Sequence, residues 1–350
     1  MESITSVSRH ANFEDKSANM KIFAFILLAV STLSIGSVAQ TNPLPLGSVT
    51  GISSVTCTSQ FQSSVCFQAT VSCPNTADIG VMWGVRGSGH KGTVVFLGGG
   101  GGTVASGNGF FSAYNNAGLV SIEVAWATDW ELAGSPFAPN ILSAACRPAT
   151  LLNYFHSQMA RGSFCAQGVS AGSAQIAYSL SWYGLANELT NVELLSGPVF
   201  SNITDGCKAP NSTPTVRVVP TNGQPWSDPI AYFTEAPALT VWTGNQCLPT
   251  FGSTAAQNEA WDDQSMEQPG ATVSFPNTNL SGWVCNNGIN PSAGQSYLFF
   301  SQVGTPYSLT AITNCSGAEG VTSGFTPQGV LGQTAIQNDM VKQCVQKTLR

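Results

Sequence analysis

Residues 164–175 read Phe-Cys-Ala-Gln-Gly-Val-Ser-Ala-Gly-Ser-Ala-Gln, and Gly168-x-Ser170-x-Gly172 within them restricts the fold more than any other feature. A serine with glycines two residues before and after suits a sharp strand-to-helix turn, the spacing of a nucleophile elbow. The serine there takes a strained backbone conformation, and the small residues let strand and helix pass close together. The surroundings agree. Residues 163–166 make a short buried strand, and 171–183 are small and apolar without proline, so a helix is expected after Ser170. Taken alone, the pattern also fits an ordinary turn of another α/β protein.

A second feature stands upstream. Thr93-Val94-Val95-Phe96-Leu97 reads as a buried strand and runs directly into five glycines, 98–102. Glycines after a strand let the backbone approach a ligand closely with N–H groups turned toward it. A Walker phosphate loop needs Gly-Lys-Ser/Thr at its end, and this run ends Gly-Gly-Thr, which excludes it. A dinucleotide fingerprint needs a helix immediately after the glycines and an acidic residue about 20 residues on; Glu123 has that spacing, but such chemistry is not typical of an exported protein.

Around these two features the chain alternates strands and helices. Residues 41–92 are β-rich, with strands at 65–71 and 80–85. Further strands are expected at 118–126, 192–198, 238–244 and 297–303, and helices at 141–159 and 334–349. Residues 201–236 read as loop, and 245–294 as a long polar insertion before the last strand. The fold class is α/β, and 40–350 is expected as a single domain. Trp130 and Trp226 fall in expected loops and are candidate pocket walls.

Composition bears on compartment and partners. The formal charge is −6 and 9% of residues are charged, which leaves no basic face for nucleic acid. Residues 21–39 carry a lysine, an apolar core and the small-x-small site Ser37-x-Ala39, the pattern of a cleaved signal peptide, so 1–39 is expected to be an upstream segment and leader. The uninterrupted apolar run at 22–30 is far shorter than the ~20 residues of a membrane span. All ten cysteines follow the leader and none forms a C-x-x-C pair, which points to disulfides in an exported chain. Pairing is open from spacing alone; Cys57 with Cys66 or Cys73, and Cys315 with Cys344, are the pairings favoured. Sequons stand at Asn202, Asn211, Asn279 and Asn314. With His90 and His156 far apart in sequence, no metal site is expected, and no cofactor is required.

The strand and glycine loop at 93–103, the elbow at 164–182 and the terminal helix together resemble the secreted, esterase-like members of the α/β-hydrolase superfamily over residues 80–350. The resemblance implies a three-layer sandwich with a mostly parallel sheet. It also implies Ser170 as nucleophile, and an oxyanion hole from the 98–102 loop (Gly98, Gly99, Gly100, Gly101) and Ala171.

The triad order in that family is serine, acid, histidine. Here the later acid position falls at 243–247, among amides, and the histidine position between 303 and 334, around Glu319. No histidine follows Ser170; the three are His10, His90 and His156. His90 and His156 are expected at the amino ends of the strands, roughly 15–20 Å from Ser170. Asp205, Asp228, Asp262, Asp263 and Glu319 are the carboxylates left as bases, Asp205 and Asp228 also suiting an earlier acid position. Two readings result: a secreted hydrolase-fold protein without a full triad that binds a small ester or other extracellular ligand, and an active serine ester hydrolase with a non-standard base. A purely structural role in the extracellular matrix is a third.

Overall fold

The computed structural model describes residues 43–107, 109–134, 141–203, 262–268, 270–286, 291–316 and 320–346. Nine strands among them form one sheet: β1 (Ser48–Val55), β2 (Val65–Ser72), β3 (Ile79–Arg86), β4 (Gly92–Leu97), β5 (Leu119–Trp126), β6 (Ser163–Val169), β7 (Asn191–Leu195), β8 (Asn279–Cys285) and β9 (Tyr307–Ile312). Their order is β1-β2-β3-β5-β4-β6-β7-β8-β9. β1, β2 and β3 pair antiparallel, and β3 meets β5 antiparallel. From β5 through β9 every pairing is parallel. The expected mostly parallel sheet is therefore present, and the carboxyl ends of β4 to β9 share one edge.

Helices cover both faces, as parallel strands require. On one face α3 (Cys146–Met159), α4 (Ala171–Ser181) and α5 (Pro291–Gln302), with the short α2 (Ile141–Ala144), bury Ile122, Val124, Ala166, Val192 and Leu280. On the other, α1 (Phe111–Asn116) and α6 (Gly332–Gln346) close over Val94, Phe96, Leu195 and Trp283. β4, β5 and β7 are buried along their whole lengths, and β4 accordingly reads as a nearly continuous apolar run.

Several expectations are corrected. Residues 297–303 are not the last strand, because 297–302 lie in α5, where Tyr297, Phe299 and Phe300 are buried on the sheet. A short apolar run buried on nearly every side has no period by which helix and strand can be told apart. β9, which begins five residues after α5 ends, is the last strand among the described residues. Residues 279–285, expected inside the polar insertion, form β8. The expected helix at 141–159 breaks at Ala145 into α2 and α3. Trp130 is no pocket wall: it is 0% exposed and part of the core. The expected strand at 238–244 and Trp226 lie outside the described residues.

Among the described residues, four disulfides brace the sheet and its cover. Cys57–Cys66 closes the β1–β2 turn and Cys73–Cys146 ties the end of β2 to the start of α3. Cys165–Cys344 anchors α6 to β6, and Cys285–Cys315 joins the chain at the ends of β8 and β9. Cys57 pairs with Cys66 as one expectation had it; Cys315 and Cys344 do not pair with each other. No helix among the described residues is long and apolar enough to cross a membrane.

A buried cation holds the loop after β5. Arg147 on α3 is 2% exposed, and its guanidinium donates to the carbonyls of Trp130 (2.8 Å), Ala133 (3.3 Å), Leu132 and Ala77 (2.6 Å). Burial lowers its pKa to about 10, with Asp78 and Glu131 opposing, so it is charged at neutral pH. Arg147→Leu strips the donors from these buried carbonyls, and is expected to lose about 3 kcal/mol or more in urea unfolding. Arg147→Lys, which keeps the charge but not the fork, should recover less than half of that loss.

Candidate active site

Ser170 joins β6 to α4 as expected, and its backbone has φ 52° and ψ −124°. That conformation costs of order 1–3 kcal/mol for a residue with a side chain, and persists only where the surroundings enforce it. They do so by contact. A Cβ on Gly168 would lie 2.4 Å from the carbonyl carbon of Gly172, and one on Gly172 would lie 2.0 Å from Leu97 O. The Ser170 N–H donates to Leu195 O (2.8 Å), and Ser170 O accepts from the Ser173 N–H (2.8 Å). Ser173 Oγ reaches Gly168 O (2.9 Å) and Leu195 O (3.1 Å), locking the turn from inside. Ser170 itself is 3% exposed.

The glycine loop arrives beside it. A Cβ on Gly99 would stand 3.0 Å from Ser170 Cβ, so loop and elbow touch. The loop is fixed by its carbonyls. Gly98 O accepts from Gln175 Nε2 (3.2 Å), Gly99 O from the Gly102 N–H (3.0 Å), Gly101 O from the Trp130 N–H (3.0 Å) and Gly102 O from the Trp126 N–H (2.9 Å). Gln175, on α4, also accepts from Trp126 Nε1 (3.0 Å), so one amide couples the helix to the glycine loop and β5. Four of the loop's five carbonyls, and the Gly102 N–H, are thus engaged in holding it in place. Ala171 opens α4, where the helix supplies no acceptor for its N–H.

One neighbour was missed in the sequence. The Asp129 carboxylate packs on Gly101, where a Cβ would meet Oδ1 at 1.9 Å. The five-glycine run signalled a close approach, but not by which side chain.

The position expected for the acid shifts with the corrected strands, while that for the histidine stays within 303–334. The residue after β8 is Asn286, buried, its N–H bonded to Ile312 O (2.6 Å). After β9 come Thr313, Asn314, Cys315 and Ser316. The Cys285–Cys315 bridge ties these two stretches together. Asp205, Asp228 and Glu319 lie outside the described residues. Asp262 and Asp263 adjoin Gln264, whose carbonyl accepts from Tyr178 Oη (2.6 Å) eight residues along from Ser170, about 12 Å of helix. His90 contacts Arg161 Nη1 (3.3 Å) just before β4. His156 faces Glu188 Oε2 (3.6 Å) and packs on Phe164, at the start of β6. Both stand at the amino edge of the sheet, opposite Ser170, as expected.

A cavity of about 110 Å³ opens behind the elbow between Phe110, Val169, Leu195 and Val321, with Ser106, Gln167 and Thr322 as its polar lining. A larger hollow of about 400 Å³ lies over β2 and β3, bordered by Gln60, Gln68 and Thr70, and none of Gly99, Ser170 or Ala171 borders it. The smaller one adjoins the chemistry. Its floor residue Gln167 donates through Nε2 to Tyr114 Oη (2.9 Å) and to Glu193 Oε2. Burial drives the Glu193 carboxyl well above its ordinary range, Asp339 adds to this and Gln167 opposes it.

Solved structures share this architecture. Against a Pyrobaculum calidifontis esterase the chain is 13% identical, covering 97% of this chain and 96% of that one, with a TM-score of 0.43. Against acetyl xylan esterase 1 from Thermoanaerobacterium sp. JW/SL YS485 the identity is 11%, the coverage 87% and 90%, and the TM-score 0.50. Against Est1E of Butyrivibrio proteoclasticus, solved with ferulic acid, they are 10%, 78% and 98%, and 0.45. No family model matches the sequence, and no curated protein does. At such identities the likeness concerns the fold, which is α/β-hydrolase-like.

Two outcomes are expected. Gly172→Ala forces a methyl against Leu97 O and should cost at least about 3 kcal/mol, whereas Gly100→Ala, with open space around its Cβ and φ 55°, should cost about 1–2 kcal/mol, both read by urea unfolding. Glu193 binds its proton more tightly folded than unfolded, so its contribution is complete below about pH 4.5 and declines as pH rises. Glu193→Gln should therefore gain stability over wild type above that pH, by up to about 1.4 kcal/mol per pH unit. Parallel wild-type and variant stability profiles from pH 4.5 to 8 would contradict this.

Proposed function

We propose that this is an exported α/β-hydrolase-fold protein that keeps its elbow and glycine loop as a cradle for a small ester or other neutral extracellular ligand, and turns it over weakly or not at all. One observation carries this reading: amides and hydroxyls (Asn286 after β8, Asn314 and Ser316 after β9) stand where the resemblance expects an acid and an imidazole. The histidines beyond the leader, His90 and His156, are held at the opposite edge. The usual base beside such a serine is an imidazole, and neither of these histidines is placed to serve it.

The loop retains a binding chemistry. N–H groups of the Gly98, Gly99, Gly100 and Gly101 stretch, with that of Ala171, suit a carbonyl oxygen laid over Ser170. Asp129 against Gly101 works against full charge development there, because a second negative charge beside a carboxylate is repelled. A neutral carbonyl meets much less opposition. Export is supported by four disulfides, which persist in oxidising compartments. No cofactor or metal enters this reading.

The second reading is an active secreted serine ester hydrolase, favoured by the strain retained at Ser170. Its base would come from Asp205, Asp228 or Glu319. Labelling with a fluorophosphonate serine probe separates the two. Wild-type protein is expected to label at least about 10²-fold more slowly than an esterase with a complete triad. Labelling at esterase-like rates that Ser170→Ala abolishes would establish the hydrolase instead.

A further inference from the structure

Four sequons look alike in the sequence, and the structure separates two of them sharply. Asn279-Leu280-Ser281 opens β8 beneath α6. Asn279 Nδ2, the atom a glycan would take, donates to Gln343 Oε1 at 2.9 Å. Ser281, 4% exposed, donates through Oγ to Asp339 Oδ2 (2.7 Å) and accepts from Ser308 Oγ (3.0 Å). Both polar residues of this sequon are thus used to seat α6 on the sheet. A sugar on Nδ2 removes one of its N–H donors and places a hydrated group in a half-buried contact, where uncompensated polar burial costs several kcal/mol.

Asn314-Cys315-Ser316 is the opposite case. Asn314 lies two residues past β9, is exposed, and has φ 57°. That left-handed conformation by itself favours Asn, Asp or Gly. It does not call for a hydroxyl residue two positions on, and Ser316 supplies one, also exposed and bonded to Ser323 (2.8 Å). A glycan on Asn314 projects from the turn into solvent and displaces no packed group.

We infer that Asn314 carries an N-linked glycan and that Asn279 carries none, so that the loop expected to hold a catalytic histidine bears a sugar instead. This rests on the export reading, since the modification belongs to a glycosylating secretory pathway. The donor is a lipid-pyrophosphate-linked oligosaccharide. The bond from its anomeric carbon to phosphate breaks, a bond from that carbon to Asn314 Nδ2 forms, Nδ2 loses one proton, and the lipid pyrophosphate leaves. A bulky hydrated chain then stands beside the Cys285–Cys315 bridge at the carboxyl edge, and screens that side from large partners.

The test uses the full chain secreted from a eukaryotic host. Peptide-N-glycosidase F in heavy-oxygen water converts each glycosylated Asn into labelled Asp, which peptide mass spectrometry assigns by position. Label at Asn314 and none at Asn279 is expected. Ser316→Ala should lose one glycan's mass, and Ser316→Thr, which keeps both hydroxyl and sequon, should retain it. Label at Asn279, or its absence at Asn314 in a protein labelled at Asn202 or Asn211, overturns the inference while leaving export standing. Unglycosylated protein that keeps residues 1–39 and stays in the cell overturns both.

Discussion

The contact on which the rest of the site depends is the passage of α4 across the end of β6 and β4. Gly172 lies so close to Leu97 that no Cβ fits between them, and Gly168 is as close to Gly172. Once those backbones touch, Ser170 has one way to connect strand to helix, and its positive φ follows from the packing. The same approach brings Gly99 against Ser170 and puts Gln175 within reach of Gly98 and Trp126. Elbow, glycine loop and β5 are therefore one mechanical unit. A change at Gly172 is felt by every member of it, because close-packed interiors transmit displacement rather than absorb it.

A second support acts from the flank. Arg147 gathers four carbonyls of the segments around Ala77 and 130–133, and Trp130 in turn donates to Gly101 O. The chain of contacts from α3 to the glycine loop thus runs through backbone carbonyls and the backbone N–H of Trp130. Such carbonyls are costly to bury unpaired, so the cation is best understood as satisfying backbone rather than as part of the chemistry.

What the sequence disclosed tracks how local each determinant was. The elbow and the β4–glycine junction were legible because sterics confined to a few residues decide them. β8 and β9 were not. Asn279-Leu280-Ser281-Gly282-Trp283-Val284-Cys285 has little β-branched content and a central glycine, and it becomes a strand because β7 and β9 flank it. Its Gly282 leaves room for the ring of Phe300 on α5, a contact made across the face of the sheet. Tyr297-Leu298-Phe299-Phe300 misled for the complementary reason, since burial on all sides erased the period that marks a helix. With a strand expected at 238–244 and none at 279–285, the acid position was sought at 243–247 rather than after β8 at Asn286. The histidine position escaped this error because it was sought over the whole stretch between 303 and 334. The Cys73–Cys146, Cys165–Cys344 and Cys285–Cys315 bridges and the Asp129–Gly101 contact join residues far apart in sequence, and spacing carries no record of them.

This division bears on which parts of an α/β-hydrolase-like fold are held by packing and which are free to vary. The elbow is enforced by core packing, so it persists whether or not a base is present; losing Gly172 would unseat α4. The residues after β8 and β9 stand under a weaker constraint. Asn286 holds its place through its backbone N–H to Ile312 O, and the Cys285–Cys315 bridge fixes the two loops whatever side chains they carry. An acid or imidazole at these positions can be exchanged for an amide at little cost to folding, whereas the serine's geometry cannot be relaxed without rebuilding the core. A strained serine is accordingly weak evidence for turnover in this fold, and the chemistry of the loops is the stronger guide. On the proposed reading, the neutral groups of Asn286, Asn314 and Ser316 suit holding a carbonyl better than cleaving one.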